Sequence, residues 1–198
     1  MAVKFQDLLK KGAKQGLKPG SDAAKDWFRE KALAMRSANP KLIINRTAVV
    51  NRKSTINHDS IGKMFLFSYS PKGKETLPYY DSYPLVFPVE FYGDSFLGIN
   101  LHYLPPVLRA KLMDALYDTI NNQKYDDSTQ LKISYKILAG ASQFSYFKPC
   151  IKKYLFNHVG SSFMYVAPDE WDIALMLPTE RFAKATNSQV WADSRGKV

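Results

Sequence analysis

The chain holds one cysteine, Cys150, in 198 residues. That excludes an internal disulfide and leaves too few thiolates for a zinc ribbon or finger. Its three histidines, His58, His102 and His158, stand far apart, without the HxH or HxxxH spacing that sets two imidazoles on one metal. With no base nearby in sequence, Cys150 reads as a small buried hydrophobe, and His102 reads as a hydrogen-bonded structural residue. No apolar run approaches the roughly eighteen residues of a membrane span. The start MAVKFQDLLKKGAKQG has neither the apolar core nor the small-residue cleavage site of a secretory signal. These absences predict a soluble protein made in a cytoplasm, with no membrane contact and neither metal nor cofactor.

The common catalytic patterns are missing as well. Pro168 and Asp169 begin like a metal-dependent nuclease motif, but Glu170 is followed by Trp171 and Asp172 where the pattern needs a spacer and a lysine. Ser70-Pro71-Lys72-Gly73-Lys74 shares only lysine and glycine with a phosphate-binding loop, and no GxSxG elbow occurs. Asp126 and Asp127 fall in a polar stretch with no apolar wall to raise a carboxyl pKa. The expectation is a protein with no catalytic residues and no small-molecule substrate. The one group that distant pairing suggests is Asp81, Glu90 and Asp94 with Lys74, all read as ordinary surface residues.

What is present is apolar content and positive charge. Hydrophobic residues make up 45% of the chain and aromatics 14%, enough to offset chain entropy when buried. The net charge of +10 is uneven. Residues 1–63 carry 14 Lys/Arg against 5 Asp/Glu, residues 64–131 carry 5 against 8, and residues 132–198 carry 9 against 5. The chain therefore divides into a basic N-terminal arm and helix (1–60), an α+β core domain (61–184) and a polar C-terminal tail (185–198).

Lysines alternate with Gly12, Gly16 and Gly20 through the first twenty residues, which predicts a mobile basic arm with at most a short helix near Val3 to Leu9. Ser21 caps a helix from about Asp22 to Ser37 with Trp27 and Phe28 on its docked stripe, and Asn39-Pro40 ends it. Strands are expected at Met64 to Tyr69, Leu85 to Tyr92, Ser95 to His102, Phe163 to Val166 and Ile173 to Leu177. Gly93-Asp94 makes a hairpin turn, and Pro88 marks an edge position or a bulge. Pro105-Pro106 opens a helix through Ile120 that buries Leu112 and Leu116. Leu131 to Ser142 fits both periods and is assigned to helix, with Ser128 or Thr129 as its cap. KPCIKKYLFNHVG reads as a short helix with Lys152 and Lys153 outward, PDEW as a tight turn, and TERFAKA as a helix capped by Thr179. Together these predict a small, partly open SH3-like antiparallel β-barrel decorated by helices, with a basic helical N-terminal arm.

Basic residues in this number point to a polyanion, because neutralising phosphates releases condensed counterions without reading sequence. The candidate nucleic-acid-binding residues are Lys10, Lys11, Lys14 and Lys18 in the arm, then Arg46, Arg52 and Lys53. The long loop from Ser70 to Pro84 adds Lys72 and Lys74 beside Tyr79 and Tyr80, which can stack on frayed bases, and the later basic pair adds Lys152 and Lys153. The same loop fits equally a cover folded over one end of the barrel, and the basic arm fits equally a dock for an acidic subunit.

The blocks KETLPYYDSYPLVF, FYGDSFLGINLHYLPPVLRAKLMDALYD, FKPCIKKYL and DEWDIALMLPTERF, spread over roughly residues 61 to 195, resemble the DNA end protector or head completion family of contractile-tailed bacteriophages. The resemblance implies a virion protein present in the host cytoplasm during assembly. Its implied partners are double-stranded DNA ends and phage head or portal proteins, and its implied role is to shield the packaged genome from host exonuclease and complete the head. A structural connector of the neck, tail or baseplate is the alternative. No site residue follows from the resemblance.

Overall fold

A computed structural model of the chain describes residues 5–17, 23, 53–54, 56–120, 124–143, 145–171, 173–176 and 178–196. The expected helix at 22–37, apart from Ala23, lies outside the described residues, as do Lys18, Arg46 and Arg52. In chain order the regular elements are α1 (Phe5–Lys14), β1 (Lys53–Ser54), β2 (Met64–Leu66), β3 (Tyr80–Asp81), β4 (Leu85–Phe91) and β5 (Ser95–Asn100). They continue with α2 (Pro106–Ile120), α3 (Asp127–Gln143), β6 (Ile151–Leu155), β7 (Phe163–Val166), α4 (Ile173–Met176), β8 (Phe182–Ala183) and α5 (Asn187–Gly196).

Six strands form one antiparallel sheet in the order β1-β7-β2-β4-β5-β6, and β3 pairs with β8 in a separate two-stranded ribbon. The fold is thus mixed α and β with antiparallel sheets. Among the described residues the edge strands β1 and β6 do not pair with each other, so the sheet is not closed into a barrel. The β4–β5 hairpin turns at Gly93-Asp94 as expected, with the Tyr92 N–H donating to the Ser95 carbonyl at 2.8 Å. Pro88 lies opposite Gly98, and the register then slips so that Glu90 faces Leu97, leaving Val89 as the extra residue of a bulge. The bulge reading of Pro88 holds, while the edge reading fails because β4 lies between β2 and β5. Gly98 is required there: a Cβ would sit 2.3 Å from Val86 Cγ1 and 3.1 Å from the Phe87 carbonyl oxygen.

The main core lies between one sheet face and the helices. Met64, Phe87 and Ile99 from the sheet meet Leu112, Met113 and Leu116 of α2, Leu138 of α3 and Trp171. On the opposite face, Phe65, Phe67, Tyr69, Phe96 and Tyr154 build a second, aromatic-rich cluster. Both α2 and α3 form where periodicity places them. The cap of α3 is Asp126, whose Oδ1 accepts the Thr129 N–H at 2.7 Å and the Ser128 hydroxyl at 2.8 Å, in place of the expected Ser128 or Thr129. Cys150 is fully buried, and burial pushes its thiol up to about 12.

Five segments differ from expectation. The N-terminal lysine-rich stretch is a docked helix: Asp114 of α2 accepts the Phe5 N–H at 2.6 Å and the Gln6 N–H at 3.2 Å, and Phe5 packs edge-on against Tyr117. A carboxylate at the positive end of α1 offsets the helix weakness of its glycine. The segment read as a helix over Lys148 to Gly160 is a 3-10 turn, Ser145–Cys150, followed by strand β6. Pro149 interrupts helical hydrogen bonding, and the buried β5 has an unpaired edge that β6 satisfies through five register pairs. The apolar run DIALMLP, expected as a strand, contains the single helical turn α4, because a short apolar run carries no period. Thr179 caps no helix, since its hydroxyl is held by His102, and Phe182–Ala183 pairs with β3 instead. The helix comes one segment later, in what reads as a polar tail. Thr186 and Gln189 exchange hydrogen bonds to open α5, whose Val190 is fully buried.

Candidate nucleic-acid interface

The short ribbon β3–β8 positions one end of the long loop after β2. Lys184, just past β8, adopts a left-handed backbone with φ of 68°, an uncommon conformation for a side chain of this kind. From there its ammonium donates to the carbonyls of Lys74 (2.9 Å), Glu75 (2.9 Å) and Leu77 (3.2 Å). Three carbonyls around one cation fix the middle of the loop.

Beneath it lies a buried polar network. Asp81 Oδ2 is 2.7 Å from His102 Nδ1 and accepts from Asn100 Nδ2 at 2.9 Å, while its Oδ1 accepts the Tyr83 N–H at 3.0 Å. Burial opposes ionisation of Asp81, but the imidazole, the amide and the peptide N–H outweigh it and hold the carboxyl below its ordinary value. The imidazole continues to Thr179 through Nε2 at 2.9 Å. His102 is therefore the hydrogen-bonded structural residue the sequence predicts. Asp81 is no surface carboxylate, and among the described residues no group of three or more His, Cys, Asp or Glu is placed to hold a metal ion.

Between this network, the loop and the free edge of β6 opens a cleft of about 400 Å³. Tyr69, Tyr103 and Tyr154 line it, and the hydroxyls of Tyr69 and Tyr154 each already accept one hydrogen bond. The donors are the Leu155 N–H at 3.2 Å for Tyr69 and Asn100 Nδ2 at 3.1 Å for Tyr154. Burial is the main reason all three phenols are pushed above their ordinary value, so they keep their protons. Lys72 and Lys152 stand at the wall, the latter with its ammonium 4.1 Å from the centre of the Tyr103 ring. Since the Leu155 N–H points out of the β6 edge toward Tyr69, strand alternation turns the Lys153 N–H outward as well. Chemically, the arrangement offers donors and positive charge to whatever enters.

Five of the candidate residues are brought together here: Lys72, Tyr79, Tyr80, Lys152 and Lys153 all line the cleft. They do not contribute equally. The Lys153 ammonium sits 5.3 Å over the Tyr92 ring, leaving its backbone in the wall, and Tyr79 packs on Tyr103 and Phe182. Lys74 gives its carbonyl to Lys184 and does not line the cleft. Lys10, Lys11 and Lys14 are exposed on α1, away from the cleft lining, and Lys53 lies in the edge strand β1. Sequence reading missed Tyr69, Tyr103, Tyr154 and Lys184 as site residues. Only the β5–β6 pairing and the turn after β8 bring them together, and neither has a local signal.

The fold and the cleft together define a mixed α/β domain that gathers aromatic rings, hydrogen-bond donors and lysines around one opening. The particular relationship is given by a family model described as Phage T4 terminal DNA protecting protein, which matches residues 21–194. The chain belongs to this family, as the motif resemblance implies. No curated protein and no solved structure matches the chain.

Proposed function

We propose that this protein binds the ends of linear double-stranded DNA without sequence preference and without catalysis, shielding a packaged phage genome from host exonuclease. The observation that carries the reading is the family match over residues 21–194, most of the chain. The cleft supports it, because Lys72 and Lys152 place positive charge beside tyrosine and backbone donors suited to the phosphates of an end. The remaining basic residues of the N-terminal third, Lys10, Lys11, Lys14, Lys18, Arg46, Arg52 and Lys53 among them, supply sequence-independent attraction to the flanking phosphates. Contact with head or portal proteins, completion of the head and residence in the virion belong to the same reading. So does an absence of metal or cofactor dependence.

An exonuclease challenge tests the proposal. Purified protein added to linear duplex should slow its digestion in proportion to occupancy of the ends. Digestion at the unprotected rate, together with stoichiometric binding to a portal or tail subunit, would replace the end protector with a structural connector.

A further inference from the structure

We infer that the cleft between the 71–78 loop and the β6 edge is a phosphate site, and that it takes the terminal phosphomonoester of a DNA end. The inference rests on the end-binding reading above and adds which group of the end is recognised.

The argument begins with hydrogen-bond arithmetic. A tyrosine hydroxyl has one proton to donate and lone pairs to accept. The hydroxyls of Tyr69 and Tyr154 accept from Leu155 and Asn100, and the Tyr103 hydroxyl joins them in the lining. All three residues are at least nine-tenths buried, yet among the described residues no acceptor receives any of the three protons. Three phenol hydroxyls therefore lie in the lining of a cleft of about 400 Å³, and among the described residues no acceptor takes their protons. A buried donor without an acceptor is costly, and the cost is removed by an acceptor-rich ligand.

The rest of the lining selects the kind of acceptor. Lys72 and Lys152 add positive charge, and the outward Lys153 N–H adds a main-chain donor. Among the described residues Asp81 is the one carboxylate lining the cleft, and it is occupied by His102, Asn100 and the Tyr83 N–H, so it has little left to offer a ligand's donors. A nucleobase carries donors as well as acceptors and would leave its own N–H groups unpaired here. A phosphomonoester carries acceptors and negative charge only, which matches a wall of donors and cations. Size then separates a chain end from a continuous helix. A space of this volume lies in the range of small-ligand pockets and cannot contain a duplex. The phosphate that enters is the one at the terminus.

The test uses the full chain and one blunt duplex sequence prepared with 5′-phosphates, with 3′-phosphates, with hydroxyls at all ends, and as a covalently closed circle. The expected result is on the order of tenfold to a hundredfold tighter binding to one phosphorylated form than to the hydroxyl form. The two phosphorylated arms identify which terminus supplies the group. Tyr69→Phe removes one phenol proton, and Lys72→Ala with Lys152→Met removes the charge. Each should shrink the preference, and Lys111→Ala, an exposed change outside the cleft, should not. Thermal unfolding of each variant confirms that it folds. Should one variant fail, inorganic phosphate added to the wild type provides a second readout by shifting the ring resonances of Tyr69, Tyr103 and Tyr154. Equal affinity for phosphorylated and hydroxyl ends, with linear DNA still preferred over the circle, would overturn the phosphate site and leave end binding intact. A phosphate preference that survives the cleft variants would overturn its location. No preference for linear DNA would bring down both.

Discussion

Arg109 shows how much a single side chain does in this interior. It is fully buried on α2, paired with Glu180 at 2.5 Å, and it donates to the carbonyls of Leu104 (2.7 Å), Ala174 (2.8 Å) and His102 (3.2 Å). Burial lowers its pKa and Glu180 works against that shift, the balance expected of a desolvated pair. The same guanidinium lies 5.5 Å from the Trp191 ring, whose Nε1–H also donates to the His102 carbonyl. One residue thus ties the turn after β5, the turn α4, the Thr179–Glu180 segment and the C-terminal helix α5. Arg109→Met should cost about 3–5 kcal/mol in urea unfolding, because it strands Glu180 in a dry site. The double change with Glu180→Met should recover part of that loss, though not the three carbonyl bonds. A single-variant loss below about 1 kcal/mol would show that the pair does not hold these segments together.

At the scale of elements, the 71–78 loop closes on itself at Gly73 and Thr76 and is tied to the rest of the chain by Lys184. Lys184→Ala removes the cation that gathers the Lys74, Glu75 and Leu77 carbonyls while leaving both strands of the β3–β8 ribbon in place. Amide exchange over residues 73–77 should speed up by at least about tenfold, and end-binding affinity should fall with little change in global stability. Unchanged exchange there would show the loop to be held by something else. The elements most legible in the sequence were those with a sustained period or a turn signal: α2 behind Pro105-Pro106, α3, the Gly93-Asp94 hairpin and the bulge announced by Pro88. Those misread were decided by partners far away in the chain. Ile151–Leu155 became a strand because β5 had an open edge, and Thr179 lost its capping role because His102 took its hydroxyl. The one local signal left unused was Thr186-Asn187-Ser188-Gln189, whose spacing is that of a capping box.

At the scale of the whole molecule, charge and site are related less simply than composition suggests. The sequence places half of the lysines and arginines, and nearly all of the net positive charge, before residue 64, and the described ones sit on α1, on β1 and at Lys63. The cleft draws instead on Lys72 and on Lys152, from the slightly acidic middle and the mildly basic end of the chain. Five of the cleft's lining residues were therefore visible in advance as lysines and tyrosines. The buried phenols were not, because a tyrosine committed to the core and one facing a cleft have the same sequence. On the proposed reading the labour divides: dispersed lysines attract any DNA, and the cleft distinguishes an end from a middle. The most direct test is competition for a labelled linear duplex between unlabelled linear DNA and a covalently closed circle of the same sequence and length, repeated across salt concentrations. The account predicts that the linear competitor displaces the label far more effectively at every salt, while the overall affinity of both falls steeply as salt rises. Equal displacement by the circle would contradict it, because the protein would then bind DNA without regard to ends.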